Sequence, residues 1–420
     1  MYTVMHLAGR PCDFGGRSDV FHKLDAKDLR AGMYIVNTGV SWLHHPYLYT
    51  AEGELTCREL ASLLEEGYTE AYVDLSRCRP GTLSPELEAL VPSVSAGDTA
   101  ADFLPPPPRV ALEEELPKAR AVFSMSLNMA KDMMDTARRG TAADPAAAEP
   151  LVENILESLN RNADALFSLC KLRQTDDYTY THCVNVSVLT VMFARGLGMN
   201  ENALQAIGLG GLFHDVGKAL IPTRILNAPR RLNDAEMTVM KRHPQLGCDY
   251  LRQYRNAPAE VNQVVLEHHE QYSGHGYPRS LPPDSISVAG RIAAVVDVFD
   301  ALSSKRVYKE PMPLSKALSI LYSMREKEFF PGMAERFIRL LGVYPIGSAV
   351  ELEDASRGVV AEANTSAPMS PKVFLVKDKD GKDCGRILCD LSNGACPPIR
   401  RIITAAELGA DPASVLGVPR

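Results

Sequence analysis

The sequence predicts a mainly α protein, a helical bundle preceded by a small α+β module and followed by a short β appendage. Three features point to it. Apolar residues recur at helical spacing in successive segments between 111 and 304, short alternating apolar runs occur at either end of the chain, and a Pro-rich break separates the first module from the helical centre.

The N-terminal module is read over 20–78. Short apolar runs such as MYIV and AYVDL alternate there with ELTCRELASLLEEG, whose leucines keep three- and four-residue spacing and which ends on glycine. From 79 to 110 the composition shifts to Pro, Ser, Gly and Ala and ends in the tetraproline Pro105–Pro108, which suits neither a helix interior nor a central strand, so this stretch reads as a linker. A connecting helix and a second, Ala/Pro-rich break (GTAADPAAAEP) fill 111–149. The helical domain is read over 150–345, with helices at 150–173, 182–196, 201–218, 234–252, 258–272 and 286–304 and Gly/Pro breaks such as SGHGYP and SLPPD between some of them. Beyond Pro345 the alternation in SAVELED, RGVVAEA and KVFLVKDKDGKD predicts about three strands over 346–420, and DKDG at 378–381 reads as a hairpin turn rather than a calcium loop, because the later glutamate is missing.

The 420 residues carry a net charge of -7, with a sequence pI near 5.9. That balance argues against a protein that grips polymeric nucleic acid by its phosphates, which calls for a basic excess, but permits a small phosphate ligand in a local metal site. No run approaches the roughly 20 apolar residues of a membrane span, and the N-terminus lacks a signal-peptide pattern, so a cytoplasmic protein is expected. Nine cysteines without a CxxC pair read as scattered thiols, and Cys384, Cys389 and Cys396 as ordinary strand and loop residues.

The chemistry lies in the order of histidines and aspartates within the helical centre. His182 is followed by His214 and Asp215 in GLFHDVGK, then by His243, the pair His268 and His269, and Asp297. Five of the ten histidines of the chain fall in this series. One histidine on an amphipathic helix is ordinarily a packing residue, but imidazole and carboxylate together suit first-row transition metals, and a carboxylate can bridge two of them. His44 and His45 beside Trp42 lack a further ligand at useful spacing and read as module-surface residues.

The order H…HD…H…HH…D resembles that of the HD phosphohydrolase superfamily, and HHEQYSGHGYP at 268–278 resembles the signature loop of its HD-GYP branch, the bacterial cyclic di-GMP phosphodiesterases. The match runs through RIAAVVDVFDAL and KRVYKEPM and covers roughly 178–345; the N-terminal module, with LRAGMYIV, WLHHPY and AYVD, is similar to a domain of unassigned function often found ahead of such catalytic domains. The resemblance implies an HD-superfamily helical bundle that hydrolyses cyclic di-GMP to linear pGpG, and in some cases on to GMP. It implies two divalent transition-metal ions, iron or manganese before nickel or zinc. His182, His214, Asp215 and Asp297 would hold one ion; Asp215, His243, His268 and His269 would hold the other, with Asp215 as the bridge. A hydroxide between two ions about 3.5–4 Å apart would attack phosphorus in line.

Lys218 resembles the family lysine on the scissile phosphate, and Arg306 and Lys309 match positions that grip phosphate or guanine. In the signature loop of Gly276, Tyr277 and Pro278, glycine would permit a close backbone approach and proline would stiffen the exit, with Tyr277 either touching substrate or packing. Two positions depart from the family loop, Ser273 in place of the usual Asp and His275 in place of a small residue, which is expected to alter loop order or substrate preference rather than metal binding. Members with a third metal carry a glutamate four residues before the first histidine; here that position is Tyr178, so two metals are expected, with Asp177 pointing away unless the helix begins after it. The resemblance leaves open a weakly active cyclic di-GMP receptor and an HD hydrolase of another nucleotide, and it makes the N-terminal module the place for a protein partner or dimer contact.

Overall fold

The computed structural model describes residues 21–25, 28–37, 53–56, 60, 70–74, 78–79, 81–83, 108–141, 145–172, 178–252, 258–304, 312–364, 367, 369–394 and 396–418. The chain divides into two compact units, residues 1–100 and 101–420. Among the described residues no helix is long and apolar enough to cross a membrane.

In the first unit the strands β1 (Phe21–Asp25), β2 (Tyr34–Asn37), β3 (Gly53–Glu54) and β4 (Glu70–Asp74) form an antiparallel sheet in the order β1-β4-β2-β3. Met33 and Val73 are buried, the core side of MYIV and AYVDL. Most of the helix expected over ELTCRELASLLEEG lies outside the described residues, as do His44, His45 and Trp42.

The second unit begins with α1 (Leu112–Arg138), which packs against α2 (Glu149–Leu172). The buried Glu115 ties the two by accepting from Ser158 and Arg161. Non-helical backbone at Asn162 breaks α2 in the middle; its side-chain oxygen accepts the Asp164 N–H and its amide donates to the Val110 carbonyl. Next come α3 (Tyr178–Gly196) and α4 (Glu201–Phe213), followed by a 3-10 turn (Val216–Leu220) and the short α5 (Thr223–Leu226) and α6 (Asp234–Met240). Then α7 (His243–Leu251), α8 (Ala259–Glu267), α9 (Val288–Ser303), α10 (Leu314–Ser323) and α11 (Met333–Leu341) complete the helical part. Helix α3 packs on α4 and α9, and α8 on α4, α7 and α9. Phe193, Phe299 and Phe337 bring α3, α9 and α11 together edge to face, 5.1 and 5.2 Å between ring centroids, within a fully buried core.

The helix expected over 258–272 stops at Glu267, just before His268. Two further expected helices also end differently from their sequence reading. The segment expected as a helix over 201–218 leaves α geometry after Phe213, and 234–252 is two helices separated at Lys241 and Arg242. Both breaks fall beside site histidines. The reason is tertiary: the 3-10 turn lies so close to α7 that a Cβ on Gly217 would collide with the His243 carbonyl oxygen and come within 2.5 Å of the Gly247 nitrogen. Only glycine at 217 allows that approach.

The C-terminal sheet has five strands where about three were expected: β5 (Ala349–Leu352), β6 (Arg357–Glu362), β7 (Lys372–Lys377), β8 (Asp383–Asp390) and β9 (Ile399–Ile402), all antiparallel in the order β8-β7-β6-β5-β9. Val350, Leu352, Val360 and Val373 form its core. DKDG is the β7–β8 turn, with the Lys382 N–H on Asp378 and Gly381 in the left-handed region at φ +76°. Cys389 and Cys396 depart from the expected thiols: they are disulfide-paired, with their Cα atoms 6.5 Å apart. The chain turns back after β8 and brings Cys396 against Cys389, a juxtaposition their seven-residue separation did not signal.

Candidate metal centre

His182 sits on the second turn of α3 and is 3% exposed. His214 follows the last residue of α4, and Asp215 takes φ -101°, ψ 7° on the way into the 3-10 turn. His243 opens α7, and Asp297 lies within α9. His268 and His269 come just after α8, where the chain is leaving the helix. Consecutive residues within a helix point about 100° apart. The exit from α8 lets these two rings lie 4.2 Å apart and face one centre.

The structure thus brings all seven sequence-predicted ligand residues into one cluster, buried except for the partly exposed His269. His182 Nε2 is 3.0 Å from Asp297 Oδ1 and 3.2 Å from His214 Nε2. His243 Nε2 is 3.2 Å from His268 Nε2, and His269 Nδ1 is 3.7 Å from Asp297 Oδ2. Asp215 lies between the two sets. Its Oδ2 is 3.3 Å from His214 Nε2 and 3.7 Å from His182 Nε2, whereas its Oδ1 is 3.3 Å from His243 Nε2 and 3.9 Å from His268 Nε2.

The outer ring nitrogens fix what the inner ones can do. The Nδ1 atoms of His214, His243 and His268 donate to the carbonyls of Gly211, Met240 and Val265 at 2.7, 2.9 and 3.0 Å. His182 Nδ1 donates to Asp300 at 2.7 Å. In the neutral ring Nε2 is then a lone pair. Two such lone pairs 3.2 Å apart repel each other unless a cation or a proton lies between them; the neutral His243 and His268 stand so, as do His182 and His214 whenever His182 is neutral, beside a buried Asp215 Oδ1 that accepts no hydrogen bond. Three groups within each set, His182–His214–Asp215 and His243–His268–His269, offer atoms all within 4.8 Å of one another. This donor set fits two transition-metal ions.

The electrostatics agree. Burial alone would raise the Asp215 carboxyl, but Lys218 and His214 hold it well below the usual carboxylate range. Asp297 is likewise buried and held low by the His182 hydrogen bond and by His269. Burial lowers His243 to about 3 and His269 to about 4, and takes His268 well below its ordinary value, which keeps these rings neutral and ligand-ready. His182 differs: burial would lower it, yet Asp297 and Asp300 raise it to about 9.

Lys218, in the 3-10 turn, sets its ammonium 2.5 Å from Asp215 Oδ2 with part of the side chain open to solvent. Tyr277 lies with its ring 4.5 Å from that of His269, and the Tyr277–Pro278 bond is cis. Gly276 packs on the backbone of Glu270 and Gln271, where a Cβ would come within 2.5 Å of Glu270 Cα. Ser273 and His275 point outward, and the loop beneath them is tied by backbone bonds from Tyr272 and Ser273 to Glu328 and Lys327. Arg306 and Lys309 lie outside the described residues, as does Asp177; α3 begins at Tyr178.

Sequence reasoning missed Asp300. It is fully buried and also accepts from Lys171 at 2.5 Å, Asn185 at 2.9 Å and Ser304 at 2.9 Å. Its spacing of three from Asp297, one turn along the same helix, was the available signal; nothing in the sequence pointed to Lys171, 129 residues away.

Residues 149–331 match the family described as HD domain, and residues 22–148 match one described as a domain of unknown function. A cyclic di-GMP phosphodiesterase of Pseudomonas aeruginosa is 36% identical, over 84% of this chain and 84% of its own. The cyclic di-GMP phosphodiesterase response regulator RpfG of Xanthomonas campestris is 36% identical over 45% of this chain and 52% of its own length. A cyclic di-GMP phosphodiesterase of Thermotoga maritima is 36% identical over 39% of this chain and 45% of its own length.

Proposed function

Because the chain belongs to the HD-domain family, in its HD-GYP branch, we propose that it is a metal-dependent phosphodiesterase that opens cyclic di-GMP to linear pGpG. The observation that carries this reading is the placement of Asp215, whose two carboxylate oxygens face two separate sets of histidine lone pairs. In this reading His182, His214, Asp215 and Asp297 hold one divalent ion, and Asp215, His243, His268 and His269 hold the other, with iron or manganese as the metal. Two such ions, when bound, supply Lewis acidity toward a phosphoryl oxygen and acidify water.

The chain's own groups do the rest. Lys218 Nζ, beside Asp215 and partly exposed, donates to an oxygen of the scissile phosphate as negative charge grows there. Asp300 holds His182 in the tautomer whose Nε2 faces inward. Tyr277 forms a wall of the site beside His269, and Arg306 and Lys309 pair with the phosphate or base of the substrate.

Purified protein loaded with manganese or with iron under anaerobic conditions, incubated with cyclic di-GMP and followed by chromatography, should release pGpG. Intact substrate after prolonged incubation with a verified metal complement would overturn the assignment.

A further inference from the structure

We infer that Glu270 is a positioning residue for the loop 271–281, setting where Tyr277 stands beside the metal centre. Glu270 directly follows His268 and His269 and is 1% exposed. Its carboxylate has no metal-facing role in the geometry: Oε1 accepts the Arg279 N–H at 2.7 Å and Oε2 accepts the Leu281 N–H at 2.9 Å. Both amides belong to the far end of the loop. A buried carboxylate that spends each oxygen on a backbone donor fixes two points of the chain at once, which a neutral side chain of the same size does not.

Further contacts close the loop around that carboxylate. The Tyr277 N–H donates to the His269 carbonyl at 3.1 Å, and the Ser280 hydroxyl to the Gly276 carbonyl at 2.9 Å. One turn earlier, Glu267 takes the Arg279 guanidinium at 2.5 Å with one oxygen and the Ser287 N–H at 2.8 Å with the other. Glu267 therefore joins the loop exit to the start of α9, the helix that carries Asp297 and Asp300. The segment bearing the two histidines thus also fixes the ring of Tyr277, 4.5 Å from His269 and 6.3 Å from His243, with Lys241 5.3 Å from its centre on the outside. Ser273 and His275 do not set this shape, because the bonds that hold it run through backbone atoms, Glu270, Ser280 and the Glu267–Arg279 pair.

What the positioned loop grips rests on the reading of the site as a cyclic di-GMP phosphodiesterase; that Glu270 fixes the loop does not. The test uses full-length Glu270→Gln, Glu270→Asp and Arg279→Ala with three measurements: metal content, amide hydrogen exchange across 274–281, and kinetics on cyclic di-GMP and on bis(p-nitrophenyl) phosphate. Glu270→Gln keeps one acceptor oxygen and sets an amide N–H against the other backbone donor. It should retain wild-type metal content, speed exchange across 274–281 by about tenfold or more, and raise KM for cyclic di-GMP by about tenfold with a smaller fall in kcat, the scale of one charge-assisted hydrogen bond. Glu270→Asp, which keeps the charge, should recover part of the KM. Arg279→Ala, which retains its backbone N–H, should leave Leu281 protected. Wild-type exchange or a wild-type KM in Glu270→Gln would overturn the inference. A wild-type protein that cleaves bis(p-nitrophenyl) phosphate but not cyclic di-GMP would overturn the substrate reading instead, and the exchange data would still decide the role of Glu270.

Discussion

The Asp300 carboxylate accepts the His182 Nδ1–H at 2.7 Å and simultaneously binds the Lys171 ammonium, with neither side chain reaching solvent. One buried carboxylate thus orients the imidazole proposed as a metal ligand and neutralises a lysine from α2.

Replacing Asp300 should therefore do two separable things. Asp300→Asn should weaken metal affinity by about 10–100-fold through loss of the His182 anchor. It should also cost about 3–5 kcal/mol of stability by stranding the Lys171 charge. Metal titration and denaturant unfolding of the metal-free protein measure the two effects; a double variant with Lys171→Met should recover stability but not metal affinity.

Asp215 touches both histidine sets, so Asp215→Ala should remove both ordered ions and most turnover. Wild-type hydrolysis by this variant would refute the bridging assignment.

Arg306 and Lys309 are not in the ligand set. Their alanine variants should keep the metal content and lose about tenfold or more in substrate affinity, since a hydrogen bond to a charged group contributes about 1.5–3 kcal/mol. Unchanged KM in both variants would move the substrate contacts elsewhere.

Metal analysis should give close to two ions per chain. Tyr178 is the first residue of α3 and stands four positions before His182, where members with a third metal have a glutamate. Tyrosine, with a pKa near 10 and one oxygen, is a poor bridge at neutral pH. A reproducible third ion, lost on mutating Tyr178 or Asp177, would contradict this.

The metal-free protein should be most stable near pH 6.5. His182 is raised from its usual 6.5 to about 9, so its contribution is complete below the unfolded value and is lost as pH climbs through about 9. That loss is on the order of 3 kcal/mol. His243 and His269 are lowered to about 3 and about 4, so protons bind the unfolded chain more tightly and stability falls as pH drops below 6.5. Melting temperatures of chelator-treated protein from pH 4 to 9 check both limbs, and a His182→Asn variant should flatten the alkaline one.

Much of this protein could be read from its sequence. The helical centre with α+β and β flanks follows from periodicity, and the seven candidate ligand residues stand out by residue type and order, since imidazole and carboxylate suit first-row metals, while the family resemblance supplies their proposed roles. Gly217 and Gly276 were also visible as residues, although what each of them avoids was not. Tertiary structure alone decided the rest. The α-helix stops at Phe213 because the following turn packs on the His243 carbonyl. Asp300 anchors His182 because α3 and α9 lie side by side, and Lys171 meets it from 129 residues away. Glu270 closes on amides nine and eleven residues further on. Local sequence pattern records which face of an element is apolar; it carries no record of which distant backbone donor or buried charge that face will meet.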